Sequence, residues 1–219
     1  MPSFCDLISY AVDKIYNSLL KLLSTCIARI KCLLYGIPFG PGLECFGTVY
    51  MIRAPYSRIE LGKNVQIISS SRRATASTLY APTRMKTLSR TASIIIGDGV
   101  GMNGASITSR SKKIIIGDGT MLAPNVVIVD FDGHALWPPK DRQHTPSFET
   151  DADVVIGKDV WIGMGAIILK GVSIGDNSVI GARSVVTRNV PSGVLTAGVP
   201  AKVVRLLAND KEPAVRTDV

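Results

Sequence analysis

Histidine is scarce in this chain, aromatic residues are few, and no long apolar run is free of charge. Two histidines, His134 and His144, occur in 219 residues, and Phe, Trp and Tyr together make up 6%. So few histidines, with no cysteine near them, argue against a three-histidine zinc site, and no metal is expected. The four cysteines, Cys5, Cys26, Cys32 and Cys45, all precede the repeat described below and lack metal-ligand spacing. With no secretory leader they read as free thiols of a reducing compartment, which predicts a cytoplasmic protein. No uncharged stretch approaches the roughly 18 residues that a membrane span requires. Charges interrupt the N-terminal apolar region throughout, so it does not read as a signal peptide. Aromatic residues do not interleave with the basic ones, so no nucleic-acid partner is expected.

What the chain has is a period. From Ile156 to Pro191 the hexads IGKDVW, IGMGAI, ILKGVS, IGDNSV, IGARSV and VTRNVP follow one another. An aliphatic residue opens each, a glycine often follows, and a small or branched residue stands fifth. Six residues fit neither the helical period nor strand alternation. They fit one side of a triangular parallel β-helix, in which three hexads close a turn. The first aliphatic points inward, and the glycine takes a corner conformation that a Cβ would penalise. A hydrophobic content of 46% with few aromatics suits a core of stacked Ile and Val.

The same phase appears upstream, with interruptions. Ile116 opens IGDGTM, Leu122 opens LAPNVV, and a third hexad from Ile128 breaks at Asp130. The phase resumes at Ile156, 40 residues after Ile116, an excess of 22 over one turn that must leave the coil as a loop near 131–153. Ile96 to Ile116 spans 20 residues, one turn plus two. Leu61 to Ile96 spans 35, one turn plus a basic insertion near 69–93. The expected organisation is a helix over 1–36, a connector over 37–58, an all-β coil over 59–206 and a polar tail over 207–219.

Residues 1–36 follow helical spacing. Leu7, Ile8, Val12, Ile15, Leu19, Leu22, Leu23, Ile27 and Ile30 share one side, and Asp13, Lys14, Lys21 and Lys31 fall on the other. Gly36 and Pro38 end the helix. Two readings stay open: a cap packed on the coil or on a neighbouring subunit, and an interfacial helix (residues 1–35) whose lysines reach anionic lipid. Residues 1–113 hold 15 Lys/Arg against 5 Asp/Glu, whereas 114–219 hold 10 against 12. Arg72, Arg73, Arg84, Lys86 and Arg90 fall in the first insertion, as a solvated loop or as a lure for an anionic partner.

Chemistry points to Val129-Asp130-Phe131-Asp132-Gly133-His134, where the chain leaves the coil. An ordinary imidazole accepts a proton near neutral pH, which makes His134 the candidate general base. His144 has no comparable setting. Asp130 and Asp132 are open between orienting the imidazole and capping the turn.

Residues 94–205 resemble the hexapeptide-repeat acyltransferases, the left-handed parallel β-helix family that includes the galactoside and maltose O-acetyltransferases. The run VVIGKDVWIGMGAIILKGVSIGDNSVIGARSVVTRNVPSGVLTAGVPAKVVR carries the likeness. The resemblance implies acetyl-CoA as donor, a homotrimer with active sites between subunits, and a catalytic histidine on the departing loop, which falls on His134. It places Met164 at the pantetheine arm, Ala182 at a main-chain contact to the CoA and Thr187 with Arg188 at the next contact position, and leaves Trp161 open between lining the cleft and serving as a wall residue. Lys202 and Arg205 take the positions of cations that meet the CoA phosphates. Asn103 lies near the acceptor-contacting Asn of the galactoside enzymes, and Arg183 stands where relatives have Gly.

The Asp–His pair and Arg-His-Pro run of serine acetyltransferases are missing, as is the βαβ domain of nucleotide-aminosugar N-acetyltransferases. By analogy and elimination, the resemblance implies O-acetylation of a sugar hydroxyl in capsule, O-antigen or exopolysaccharide assembly. N-acetylation of an aminosugar is the alternative.

Overall fold

Each hexad becomes a short strand and a corner, and three strands make one turn of a parallel coil with three walls. In the computed structural model the chain is described over residues 4–74, 76–142, 144 and 146–207, so the tail expected at 207–219 lies outside the described residues from 208 onward. The first wall stacks β1 (Glu44–Phe46), β4 (Gln66–Ile68), β7 (Gly101–Asn103), β10 (Met121–Leu122), β13 (Trp161–Ile162), β16 (Val179–Ile180) and β18 (Val194–Gly198). The second stacks β2 (Tyr50–Ile52), β5 (Arg84–Thr87), β8 (Ser106–Ser109), β11 (Val127–Val129), β14 (Ile167–Ile168) and β17 (Val185–Val186). The third stacks β3 (Arg58–Leu61), β6 (Ser93–Ile96), β9 (Lys113–Ile116), β12 (Val154–Ile156) and β15 (Ser173–Ile174). All these pairings are parallel, and β19 (Ala201–Leu206) closes the first wall antiparallel to β18.

Register puts like side chains on top of each other. Ile96, Ile116, Ile156 and Ile174 stack on the third wall, and Ile67, Met102, Leu122, Ile162 and Ile180 on the first. All nine are at most 2% exposed. Each buried aliphatic contributes about 1.5–3 kcal/mol against leaving it in water. The glycine that follows many of these aliphatics is needed for close approach rather than for an unusual dihedral. Gly117 donates its N–H to Ile156 O of the next turn at 2.8 Å, and a Cβ on it would sit 2.5 Å from Gly157 O. The left-handed residue is the fourth of the hexad, as at Asn64, Gly119, Asn125, Asp159 and Asn177. Gly, Asn and Asp tolerate that region best. Arg183, with φ of 56°, holds the same place.

The coil begins a turn earlier than the repeat predicts, because β1 and β2 already pair with β4 and β5. Cys45 and Met51 fill inward positions there, so the aliphatic signal is missing. Likewise Arg84–Thr87, inside the expected basic insertion, is a coil strand with Met85 buried. The first excursion is therefore shorter, confined to the corner between the first and second walls. Asn125 pins it there by accepting from Tyr80 N at 2.8 Å and donating to Thr78 O at 3.0 Å.

Helix α1 (Phe4–Leu34) ends in a Schellman turn. Gly36, at φ of 59°, donates to Leu33 O at 3.3 Å, and Ile37 N donates to Cys32 O at 2.8 Å. The helix lies over the first turn of the coil on its polar side. Thr25, Ala28 and Cys32 are buried there, and Thr25 Oγ1 accepts from Cys45 N at 2.9 Å. Lys21 pairs with Glu44 at 2.7 Å, and Lys31 donates to Val49 O at 3.4 Å. These two lysines serve the coil rather than a lipid surface. No described helix is long and apolar enough to cross a membrane.

Candidate active site

The second excursion leaves between β11 and β12, at the corner of the second and third walls, and its root is built from buried charge. The Asp130 carboxylate is fully buried and accepts from Arg110 N at 2.6 Å, Ser109 Oγ at 2.8 Å and Lys112 N at 2.9 Å. Asp130 thus secures the turn at 109–112 rather than bonding His134. Asp132 pairs with Lys170 at 2.6 Å. The open question about these two acids resolves toward anchoring.

Arg110 ties the excursion to the coil. Its guanidinium donates from Nε to both Asp151 oxygens at 3.2 and 3.0 Å, from Nη1 to Gly133 O at 3.2 Å and from Nη2 to Ser147 O at 2.8 Å. It lies between the Phe131 and Phe148 rings, 5.0 and 4.7 Å from their centroids. Arginine suits this place because its planar fork bonds several acceptors at once and stacks on aromatic faces. Burial tends to raise the Asp151 carboxyl, but hydrogen bonds from Arg110 and Ser111 and the Arg110 and Lys170 charges outweigh it, leaving its pKa below the ordinary value.

His134 follows Gly133 on the exposed part of this loop. Its Nδ1 lies 3.0 Å from Arg142 O. A carbonyl oxygen can only accept, so Nδ1 carries the hydrogen and the neutral ring leaves the Nε2 lone pair free. Arg142 draws the loop together further, donating from Nε to Ala135 O at 3.2 Å and from Nη2 to Leu136 O at 3.0 Å. His144 is exposed on the same loop.

The other expected site residues fall into groups. Met164 and Ala182 stack on the corner of the first and second walls, where Arg183 N donates to Met164 O at 2.8 Å. Asn103 lies two turns above Met164, with Nδ2 3.4 Å from Leu122 O and its buried Oδ1 without a partner among the described residues. Lys202 and Arg205 project from β19 beside Ala197 and Leu195, exposed and in no ion pair with a described residue. Thr187 and Arg188 instead follow β17 at the second–third corner, beneath the root of the His134 loop. Trp161 is half-exposed on the outer face of the first wall, below Met121. In a three-walled coil that face lies opposite the corner from which His134 departs. One chain therefore does not bring Trp161 and Asn103 to the root of that loop. Cavities of about 660 and 640 Å³ flank α1 and one of about 420 Å³ lies on the second wall, none with His134 in its lining.

Arg110, Asp151 and Arg142 were not expected as site residues. The one sequence signal was the spacing from Ile96 to Ile116, whose two extra residues fall at the turn that carries Arg110.

Residues 153–188 match the family model described as bacterial transferase hexapeptide (six repeats). The galactoside O-acetyltransferase of Escherichia coli (strain K12) is 41% identical over 92 residues, 42% of this chain and 43% of that protein. Across the first three curated relatives matched, the aligned part spans 42% to 55% of their length, about half. The crystal structure of the polySia specific acetyltransferase NeuO superposes with a TM-score of 0.59 at 26% identity, covering 82% of this chain and 71% of that one. A galactoside acetyltransferase in complex with coenzyme A, at 23% identity, shares the fold with a TM-score of 0.55 over 90% of this chain and 82% of its own. The repeat, the three-walled coil and these matches make the chain similar to the hexapeptide-repeat acyltransferases, and its fold is their left-handed β-helix.

Proposed function

We propose that this protein is an acetyl-CoA-dependent O-acetyltransferase acting on a sugar hydroxyl, as a cytoplasmic homotrimer in capsule, O-antigen or exopolysaccharide assembly. The observation that carries the reading is His134, held through Nδ1 by Arg142 O with Nε2 unpartnered among the described residues. A galactoside O-acetyltransferase and a polySia specific acetyltransferase among the relatives support a sugar acceptor.

Acetyl-CoA supplies an acyl group already activated as a thioester. His134 Nε2 takes the proton of the acceptor hydroxyl as its oxygen attacks the thioester carbon, and returns it to the departing thiolate. A backbone N–H of the coil wall faces the developing oxyanion. The Met164–Ala182 corner accepts the pantetheine arm, and Lys202 and Arg205, without acidic partners among the described residues, suit the CoA phosphates. Thr187 and Arg188 occupy the other edge of the second wall. A cleft that uses both edges together with Trp161 needs a second copy of the chain, which supports a trimer with sites between subunits.

The test is incubation with labelled acetyl-CoA and a panel of polysaccharides, nucleotide sugars and aminosugars. Label in a base-labile ester of a sugar supports the reading. Label confined to amides of aminosugars would replace it with N-acetylation, and no transfer to any member would count against an acetyltransferase.

A further inference from the structure

Helix α1 turns its apolar side away from the protein. Its coil-facing side carries Lys21, Thr25, Ala28 and Cys32, whereas Ile15, Leu19, Leu22, Leu23, Ile30 and Leu33 are each more than half exposed. At 3.6 residues per turn the outward residues from Ile8 to Leu34 span an arc of about 160°, with Arg29 at its edge and no other charge within it. The helix is about 46 Å long at 1.5 Å per residue. An uninterrupted apolar face of this size is rare on a soluble surface and marks a contact.

Charge names the occupant. Lys14 and Arg29 flank the face on the helix itself. Arg53 lines a cavity with Leu33–Gly36 at the helix end, Arg73 lines one with Tyr10 and Lys14, and Arg72, whose charge is offset by its pairing with Asp13, lies over the Tyr16 ring. These cations sit beside the apolar face on the side of the coil, not across it. Tyr10 and Tyr35 are exposed toward the same edges. Apolar side chains below, with tyrosines and cations at the margin, match the layering of a bilayer surface from acyl chains to anionic headgroups. A single partner helix would cover a narrower seam and leave the flanks wet. We infer that the outward face of α1 is the surface on which this protein lies on an anionic membrane, with the coil standing off the bilayer.

The test uses the full chain with vesicles of phosphatidylcholine alone and of phosphatidylcholine with phosphatidylglycerol. The expected result is co-sedimentation with the anionic vesicles, weakened by salt. The outward double variant Leu19→Glu/Ile30→Glu, which leaves the coil contacts intact, should bind about tenfold more weakly or less. Its molar mass by light scattering should match the parent's. In a Cys5→Ser background, a polarity-sensitive dye on exposed Cys26 of the same face should shift to the blue on vesicle addition. Failure of the parent protein to bind anionic vesicles overturns the inference. So does a double variant whose molar mass falls while vesicle binding is kept, because the face would then join copies of the chain. Neither readout depends on acetyl transfer.

Discussion

Arg110 and Asp151, 41 positions apart, meet as a buried pair in which the guanidinium Nε reaches both carboxylate oxygens at 3.2 and 3.0 Å. The same guanidinium bonds the carbonyl of Gly133, the residue before His134. Coil charge is thereby linked to the placement of the candidate base. Arg110→Met should lower kcat by about a hundredfold through loss of position, while KM for acetyl-CoA changes within a few-fold. It should also destabilise the protein by about 3–5 kcal/mol, because Asp151 is left buried without its partner. Arg110→Met/Asp151→Leu should regain much of the melting temperature without regaining kcat. Recovery of both would reduce the pair to a purely structural role. Arg110→Lys should rescue little, since an ammonium cannot reproduce the fork.

The pH dependence follows from the lowered Asp151 pKa. A carboxyl whose folded value lies below its unfolded value, about 3.9, stabilises the fold at higher pH. That contribution is lost as pH falls through the folded value. The melting temperature should be nearly flat from about pH 7 to 5 and drop below about pH 4. Asp151→Asn should melt lower at neutral pH with a shallower acid limb. An unchanged acid limb would show that other carboxylates carry it.

Replacing His134 by Ala should reduce turnover by about 10²–10⁴-fold. Acetyl-CoA affinity measured by calorimetry should change little, because the residues proposed to hold it lie on the coil. His144→Ala should keep near-normal activity. An active His134→Ala enzyme would end the assignment.

Assembly is checked by light scattering, which should give about three times the 23.4 kDa of one chain. Mixing His134→Ala subunits with subunits carrying Trp161→Ala should restore part of the activity if each cleft draws on two copies. A stable monomer with full activity would contradict the shared cleft.

Burial pushes the Cys32 thiol up to about 11 and the Cys45 thiol up to about 12, whereas Cys5 and Cys26 are exposed. A thiol reagent at pH 8 should therefore titrate two of the four cysteines in the native protein, and the other two only after denaturation. Four fast thiols would mean that α1 does not stay on the first turn of the coil.

The hexads from Ile156 to Val190 could be read directly because a coil imposes the same inward and outward fate at every sixth residue. The period therefore survives in the residues themselves. The loop around His134 was legible for the complementary reason, as an interruption of that period. The first turn was not, since Cys45 and Met51 fill its inward places and leave no aliphatic beat. The Arg110 anchor was hidden because its partners lie in an excursion dozens of residues away. Sequence spacing recorded a two-residue surplus but not what the surplus was for. The amphipathic pattern of α1 was plain, yet a helical period says only that two faces differ. Which face meets the coil depended on Glu44, Cys45 and Val49 accepting or supplying hydrogen bonds to Lys21, Thr25 and Lys31. Satisfying those polar groups at the end of the coil turned the apolar face outward, a choice made by tertiary contacts rather than by periodicity.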